Sequence, residues 1–455
     1  MRLLVVHQNF PGQFGHFVKA WAARPGWDVR GLGRETAPGI PGFAGLVRYR
    51  LGRNVRPDQH HYLRQMEAAT LHGQATARAM LQLRQSGFTP DVILAHPGWG
   101  ETLYAKDVFP DARLVHYCEW YYNADGADLG FDPEFPITFD DRARIRTWNA
   151  LHTLNLTNCD SAVTPTHWQK SRHPEIFQSK ITVQHEGIAT CDLGPDPNAT
   201  IQTPNGTVLK AGDPVITYVA RNLEPYRGFH VFMRALELIQ MAHSTCHTVI
   251  VGGDEVSYGK RPERGATWRE RMSQEVALDA TRTHFLGHLP RAEYIRVLQI
   301  SAAHVYLTYP FVLSWSFLEA LACDVNVVAS DTAPIREVVG AETIDLVDFF
   351  KPGDQAQRVL DQLSACASTT SRPPRQRPKV RLPSSADALL AYDDLLNGAN
   401  QPLVANGGTC TKSRYQRDST FGQRVSSEGT TSPIRSAPTP TTLRLNNAST
   451  RGANA

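Results

Sequence analysis

Apolar positions along this chain fall into two kinds of run, and the two alternate. Short runs rich in Val, Ile and Leu, closed by Gly, Pro, His or Asn, occupy residues 3–6, 27–32 and 91–96, and recur within 113–122, 155–163 and 180–184. Between them lie stretches with apolar residues three and four apart, such as 59–86, where Leu63, Met66, Ala69, Leu71, Met80, Leu81 and Leu83 fall at helical spacing. Strands alternating with helices predict a parallel, doubly wound sheet. The pattern starts again at Pro214, with strands at 215–219, 248–251, 284–290, 302–307 and 325–329. A helix carrying Phe232, Ala235 and Ile239 follows the first of these, and one carrying Phe317, Leu318, Leu321 and Ala322 precedes the last. The run at 325–329 is short and β-branched, as a buried parallel strand is.

The stretch between the two sets, 191–213, is rich in Pro, Asn, Thr and Gly, and Pro204-Asn205-Gly206 is a hairpin-type turn. The expected organisation is therefore a first domain at 1–190, a linker with a hairpin at 191–213 and a second domain at 214–365. A low-complexity tail, 366–455, carries one helix near 384–396, with Ser384 as its N-cap and Gly398 at its stop. From about residue 400 the composition is that of a disordered chain.

Composition narrows the function. The 455 residues suffice for two domains, and 41% hydrophobic residues is a globular value. A net charge of +3 gives no reason to expect nucleic acid as a partner. No apolar run reaches membrane-spanning length, and the apolar start at residues 3–6 is too short for a signal peptide. Seven scattered cysteines without a C-x-x-C argue against a disulfide framework or structural zinc, and for a reducing, cytoplasmic setting.

The chemistry-bearing residues gather at strand ends, where open α/β sheets bind ligands. After the first strand, Gly12 and Gly15 allow close approach of a ligand to the backbone, and the next helix offers free amides. His96 and His116 sit near the ends of two later strands, each readable as a core histidine or as a cleft residue. Glu119 could hold hydroxyls or move a proton. Trp120, Tyr121 and Tyr122 could stack on a sugar or simply cover a domain edge. Arg221 and Arg227 flank a Pro-containing turn, either as solvated loop arginines or as forks for a diphosphate. Glu319 is either a surface carboxylate at a helix start or an acceptor for ligand hydroxyls, beside Ser314 and Ser316 as N-cap candidates. No Asp-x-Asp metal motif is found in the first domain.

The run FLEALACDVNVVASDTAPIREVV at 317–339 resembles the donor-binding segment of the retaining, nucleotide-sugar-dependent glycosyltransferases of family 4 (glycosyl transferases group 1), which have the GT-B fold. ARNLEPYRG at 220–228 resembles that family's diphosphate-holding segment, with Arg227 where Lys is usual. TPTHWQ at 164–169 and HEGI at 185–188 resemble the end of its first domain, with Ala189 where Asp is usual. The family's two glutamates lie eight residues apart; Glu319 matches the second, the first falls on Phe311, and Ser314 stands for a Gly. The resemblance spans roughly residues 1–365, and the helices with which the family crosses back onto its first domain are not recognisable in their usual pattern.

The resemblance implies two Rossmann-like domains facing a central cleft. It implies transfer of a sugar from a nucleotide-sugar donor to a glycan or glycolipid acceptor, with retention, in surface polysaccharide or glycolipid synthesis. It assigns catalytic roles to His116, Glu119, Arg221, Arg227 and Glu319, and places His96 and Trp120 on the acceptor side. Gly12, Gly253, His288, Leu289, Ser314, Ser316 and Phe317 would bind the donor. No cofactor and no metal are expected, since the nucleotide-sugar is itself a substrate and the arginines can replace a metal at the diphosphate. Peripheral contact with the inner face of a membrane is compatible with it. Phe311 and the altered C-terminus leave two alternatives open: a non-catalytic nucleotide-sugar binder, or another GT-B activity such as an epimerase or phosphorylase.

Overall fold

The computed structural model describes residues 1–263, 265–340, 343–367 and 380–398. The tail expected from about residue 400 lies outside them. The first sheet is wholly parallel and contains β1 (Arg2–Val6), β2 (Asp28–Arg34), β3 (Leu46–Tyr49), β4 (Val92–Ala95), β5 (Arg113–Tyr117), β6 (Ser161–Thr164) and β7 (Ile181–Val183). Its order is β3-β2-β1-β4-β5-β6-β7. A small antiparallel hairpin, β8 (Thr200–Gln202) with β9 (Val208–Lys210), follows. The second sheet, also parallel, contains β10 (Val215–Asn222), β11 (His247–Gly253), β12 (Thr283–Gly287), β13 (Ala303–Tyr306), β14 (Val327–Ser330) and β15 (Asp345–Val347), in the order β12-β11-β10-β13-β14-β15. Each sheet reverses its winding once, between β1 and β4 and between β10 and β13, and these switch points are where such sheets hold ligands.

The strands are buried on both faces because helices cover both. Leu4, Val6, Ile93 and Leu114 pack with Met80 and Leu83 of the helix Arg64–Gln85. Leu3, Val5, Val115 and Tyr117 pack on the opposite face with Phe17 and Trp21 of the helix Gly15–Ala22. A second helix covers that same face. Ser385–Asn397 brings Ala388, Tyr392, Leu395 and Leu396 into the cluster, and Asp393 takes a bidentate pair from Arg24 at 2.7 Å and a hydrogen bond from Trp21 Nε1 at 2.8 Å. Ser384 caps this helix through Asp387 N–H, and Gly398 ends it at φ 80°. The chain thus does cross back onto its first domain.

Two further features were not foreseen. The helix Phe139–Asn158 begins with a capping box between Thr138 and Asp141. Ahead of it, residues 120–138 leave the first sheet and seat themselves in the core of the second domain. Trp120 and Ala127 join the apolar cluster of Ile216, Tyr218 and Phe232. Phe131 packs on Tyr309 and Phe349, and Phe135 on Trp268. Asp132, 3% exposed, accepts from His230 Nε2 and from the Tyr309 hydroxyl, each at 2.9 Å. Where the first domain ends, Ile188 pairs with the returning chain at Ser384, through Ile188 N–H to Pro383 O (2.9 Å) and Ser385 N–H to Ile188 O (3.0 Å).

Candidate active site

Residues that follow β1, β4, β5 and β7 on one side, and β10, β11 and β13 on the other, line a cleft of about 660 Å³ between the two domains. His7 closes β1, and the loop after it folds back over the imidazole. Gly12 sits there at φ +52°, and a Cβ on it would lie 2.3 Å from His7 Nε2, so conformation and space both require glycine. His7 Nδ1 accepts from Asn9 N–H at 2.9 Å. Burial, then the neighbouring His96, push the His7 pKa down to about 3, so this ring is neutral.

His96 follows β4. Its Nδ1 accepts from Gly98 N–H at 3.2 Å, which leaves the hydrogen on Nε2, 3.4 Å from Glu119 Oε2. Gln13 Nε2 donates to the other carboxylate oxygen at 3.3 Å. Burial opposes the charge on Glu119, but His96, His7 and Arg221 outweigh it and hold the carboxyl below its usual range. The result is an ionised, acceptor-only carboxylate beside the His96 imidazole, with about a third of the Glu119 side chain open to the cleft.

The opposite wall is cationic. Arg221 is exposed at the irregular end of β10, and among the described residues no hydrogen bond or ion pair holds its guanidinium. Arg227 is half-buried and tied to Thr308 Oγ1 (2.8 Å) and Val312 O (3.0 Å), with its guanidinium over the Tyr258 ring. Ser314 caps the helix Trp315–Ala322 through Ser316 N–H, so the positive end of that helix faces the cleft beside both serines. The polar loop after β11 is ordered by one carboxylate: Glu224, 1% exposed, accepts from the backbone N–H groups of Ser257, Tyr258 and Gly259. Phe311 also lines the cleft, edge-on to Trp120 and Tyr258 at 4.8 and 4.9 Å between ring centres.

Of the residues singled out in the sequence, the cleft brings together Gly12, His96, Glu119, Trp120, Arg221, Arg227, Ser314 and Ser316. His116, expected among the catalytic groups, is in the core instead. It is one residue short of the end of β5, so the pleat turns it with Leu114 toward the face covered by the helix Arg64–Gln85, where Nε2 meets Thr102 Oγ1 at 2.9 Å. Burial lowers its pKa to about 3. Glu319 is buried outside the lining, with one oxygen on Arg291 Nη1 and the other on the Tyr294 hydroxyl, both at 2.7 Å. Phe317 is fully buried against Tyr306. Gly253 abuts His288, whose Nε2 would lie 2.3 Å from a Cβ there, and Leu289 packs against the apolar cluster of Val249 and Val251; none of these three lines the cleft.

His7, Gln13, Tyr258 and Glu186 also line the cleft and are not among the site residues expected from the sequence. His7 ends a strand as His96 does, so the same rule could have found it. Glu186 could not be found that way. It joins the two domains by accepting from the Tyr117 hydroxyl (3.0 Å) and from Trp315 Nε1 (2.6 Å).

This two-domain arrangement agrees with comparisons to known proteins. The description "Glycosyl transferase family 4 group" matches residues 25–193, and "Glycosyl transferases group 1" matches residues 202–367. The chain belongs to these glycosyltransferases. Solved structures share the GT-B fold with it. The glycosyltransferase superposes on sucrose-phosphate synthase from Thermosynechococcus elongatus with a TM-score of 0.64 at 16% identity, covering 88% of this chain and 99% of that one. A glycosyltransferase from Rickettsia africae ESF-5 gives 0.57 at 13% identity, covering 87% and 98%. Anabaena HepE, in complex with UDP and glucose, gives 0.51 at 14% identity, covering 88% and 97%. No curated protein sequence matches the chain. Among the described residues of the glycosyltransferase, no helix is long and apolar enough to cross a membrane, and no group of three or more His, Cys, Asp or Glu could hold a metal ion.

Proposed function

We propose that this glycosyltransferase transfers a sugar, with retention of configuration, from a nucleotide-sugar bound across the cleft to a hydroxyl acceptor presented by the first domain. The donor diphosphate lies between Arg221, Arg227 and the amide end of the helix Trp315–Ala322. As the glycosidic bond to the diphosphate lengthens, negative charge builds on the leaving oxygen, and fixed cations and dipoles at that point lower the barrier. The same oxygen takes the proton of the attacking hydroxyl on the face it leaves. Glu119 and His96 orient that hydroxyl. In this reading the arginines take the place of a metal.

The observation that carries the proposal is Arg221, an exposed guanidinium without a hydrogen-bond or ion-pair partner among the described residues, facing the cleft beside Arg227 and the capped helix. Thermal unfolding against UDP, GDP and ADP tests it. UDP comes first, because the Anabaena relative was solved with it. A ligand at 100 times its Kd stabilises by about 2.7 kcal/mol. That corresponds to a shift on the order of 5–10 °C. Arg221→Ala should abolish the shift, and a folded wild type that responds to no nucleotide refutes the proposal. The aromatic Phe311 favours a second reading, a nucleotide-sugar binder without transfer; donor binding with neither hydrolysis nor transfer would select it.

A further inference from the structure

We infer that the acceptor is an electrically neutral polyol or glycoside, and that a phosphorylated sugar or lipid phosphate is excluded. This rests on the proposal that the cleft is a glycosyl-transfer site.

Both cationic side chains lining the cleft, Arg221 and Arg227, belong to the second domain, where the donor diphosphate would engage them. Among the described residues, no Lys or Arg of the first domain lines it. The charged groups on that side are two carboxylates, Glu119 and Glu186. Glu186 is consumed by Tyr117 and Trp315, but Glu119 faces the space with about a third of its side chain.

The histidines there are engaged or buried. Desolvation pushes the pKa of the buried His7 and the half-buried His152 down to about 3 and lowers that of His173, and His185 Nδ1 accepts from Gly187 N–H at 2.8 Å. His96 already directs its Nε2 hydrogen at Glu119. A phosphate dianion entering here would meet a carboxylate and no Lys or Arg of the first domain, and like charges set against each other in a shielded site are costly.

What the first domain does offer suits an uncharged ring. Trp148 and Tyr122 stack at 4.1 Å between ring centres, and both line the cleft. Aromatic faces of this kind cover the C–H side of a sugar, while Glu119 and Gln13 take and give hydrogen bonds to its hydroxyls.

The test uses the full chain and matched pairs: glucose with glucose 6-phosphate, fructose with fructose 6-phosphate, and glycerol with glycerol 3-phosphate, together with maltose and nitrophenyl glycosides. Nucleotide binding is measured first by thermal shift; its absence removes the underlying proposal and the inference with it. With binding established, transfer from the matching nucleotide-sugar and saturation-transfer binding to the UDP-loaded enzyme are read for every compound. At least one neutral compound should bind or accept, with any phosphorylated counterpart weaker by about 100-fold or more. Trp148→Ala should raise the acceptor KM about 10-fold and leave the nucleotide shift unchanged. The inference is overturned if a phosphorylated compound serves as well as its neutral partner, or if no neutral compound in the set binds or accepts.

Discussion

Asp132→Ala removes the buried carboxylate on which residues 120–138 are anchored in the second domain. Asp132 and His230 are 3% and 1% exposed in their side chains, and Asp132 also accepts from the buried Tyr309 hydroxyl. The alanine leaves two donors without an acceptor in a region closed to bulk water. Removing one member of such a buried, hydrogen-bonded pair costs about 3–5 kcal/mol. At about 2–4 °C per kcal/mol for domains of this size, the melting temperature should fall by roughly 6–20 °C. Asp132→Asn keeps an acceptor for one donor and should lose less. The pH dependence has a definite sign. Burial works against the Asp132 charge, yet His230 and the surrounding hydrogen bonds hold its carboxyl below the usual 3.8. A lowered acid stabilises the fold at pH values above 3.8, and that contribution disappears as the pH falls through its folded-state value. The difference between wild type and Asp132→Ala should therefore be full at pH 6–8 and shrink below about pH 4. Differential scanning calorimetry across that range measures both quantities. A loss under about 3 °C at pH 7, or a loss independent of pH down to the acid limit, would refute the reasoning.

Other substitutions probe separate parts of the molecule. Gly12→Ala places a methyl where His7 Nε2 stands and forces a left-handed backbone on alanine, so it should destabilise by more than about 1–2 kcal/mol and weaken nucleotide binding, read by urea unfolding and thermal shift. Tyr392→Ala empties a fully buried site packed against Phe17 and should cost about 3–5 kcal/mol in urea unfolding, although it lies nearly 400 residues from the strand it covers. Glu319→Ala leaves the half-buried Tyr294 hydroxyl without its acceptor, while Arg291 keeps Asp192, and should lower stability by about 1–3 kcal/mol. The same variant tests the ribose role implied by the family resemblance: an unchanged Kd for nucleotide by calorimetry would exclude it.

Both sheets were legible because parallel strands buried on two faces leave unbroken apolar runs, and Leu3 to Val6 or Val327 to Ala329 have no other use in water. The strand Leu46–Tyr49 was not legible, since only Tyr49 of its four residues is buried. Nor was the helix Phe139–Asn158, whose buried apolar residues, Ile145, Leu151 and Leu156, are too sparse to draw a helical stripe. The stripe of Ser385–Asn397 could be read, but not its partner, which is fixed by contacts with Phe17, Trp21 and Arg24 from the far end of the chain. At the site, the strand-end rule picked out Glu119, His96 and Arg221, which line the cleft. It misplaced His116 because one residue along a pleat reverses the side chain. It could not foresee that Arg291 would occupy the Glu319 carboxylate, since that pairing depends on how one helix settles beside another.

The pairing of Ile188 with Ser384 means that the chain passes between its two domains twice at nearly one point. Two strands laced together there behave as the pin of a door. Sliding or twisting of one domain over the other would have to tear the lacing, whereas swinging about it leaves both backbone bonds intact. Such a swing would carry the His7, His96 and Glu119 group as one rigid leaf and the Arg221 and Arg227 group as the other. The width of the gap between the leaves, opposed by the Glu186 bridge and by the seating of residues 120–138 in the second domain, would then time substrate entry and later product escape.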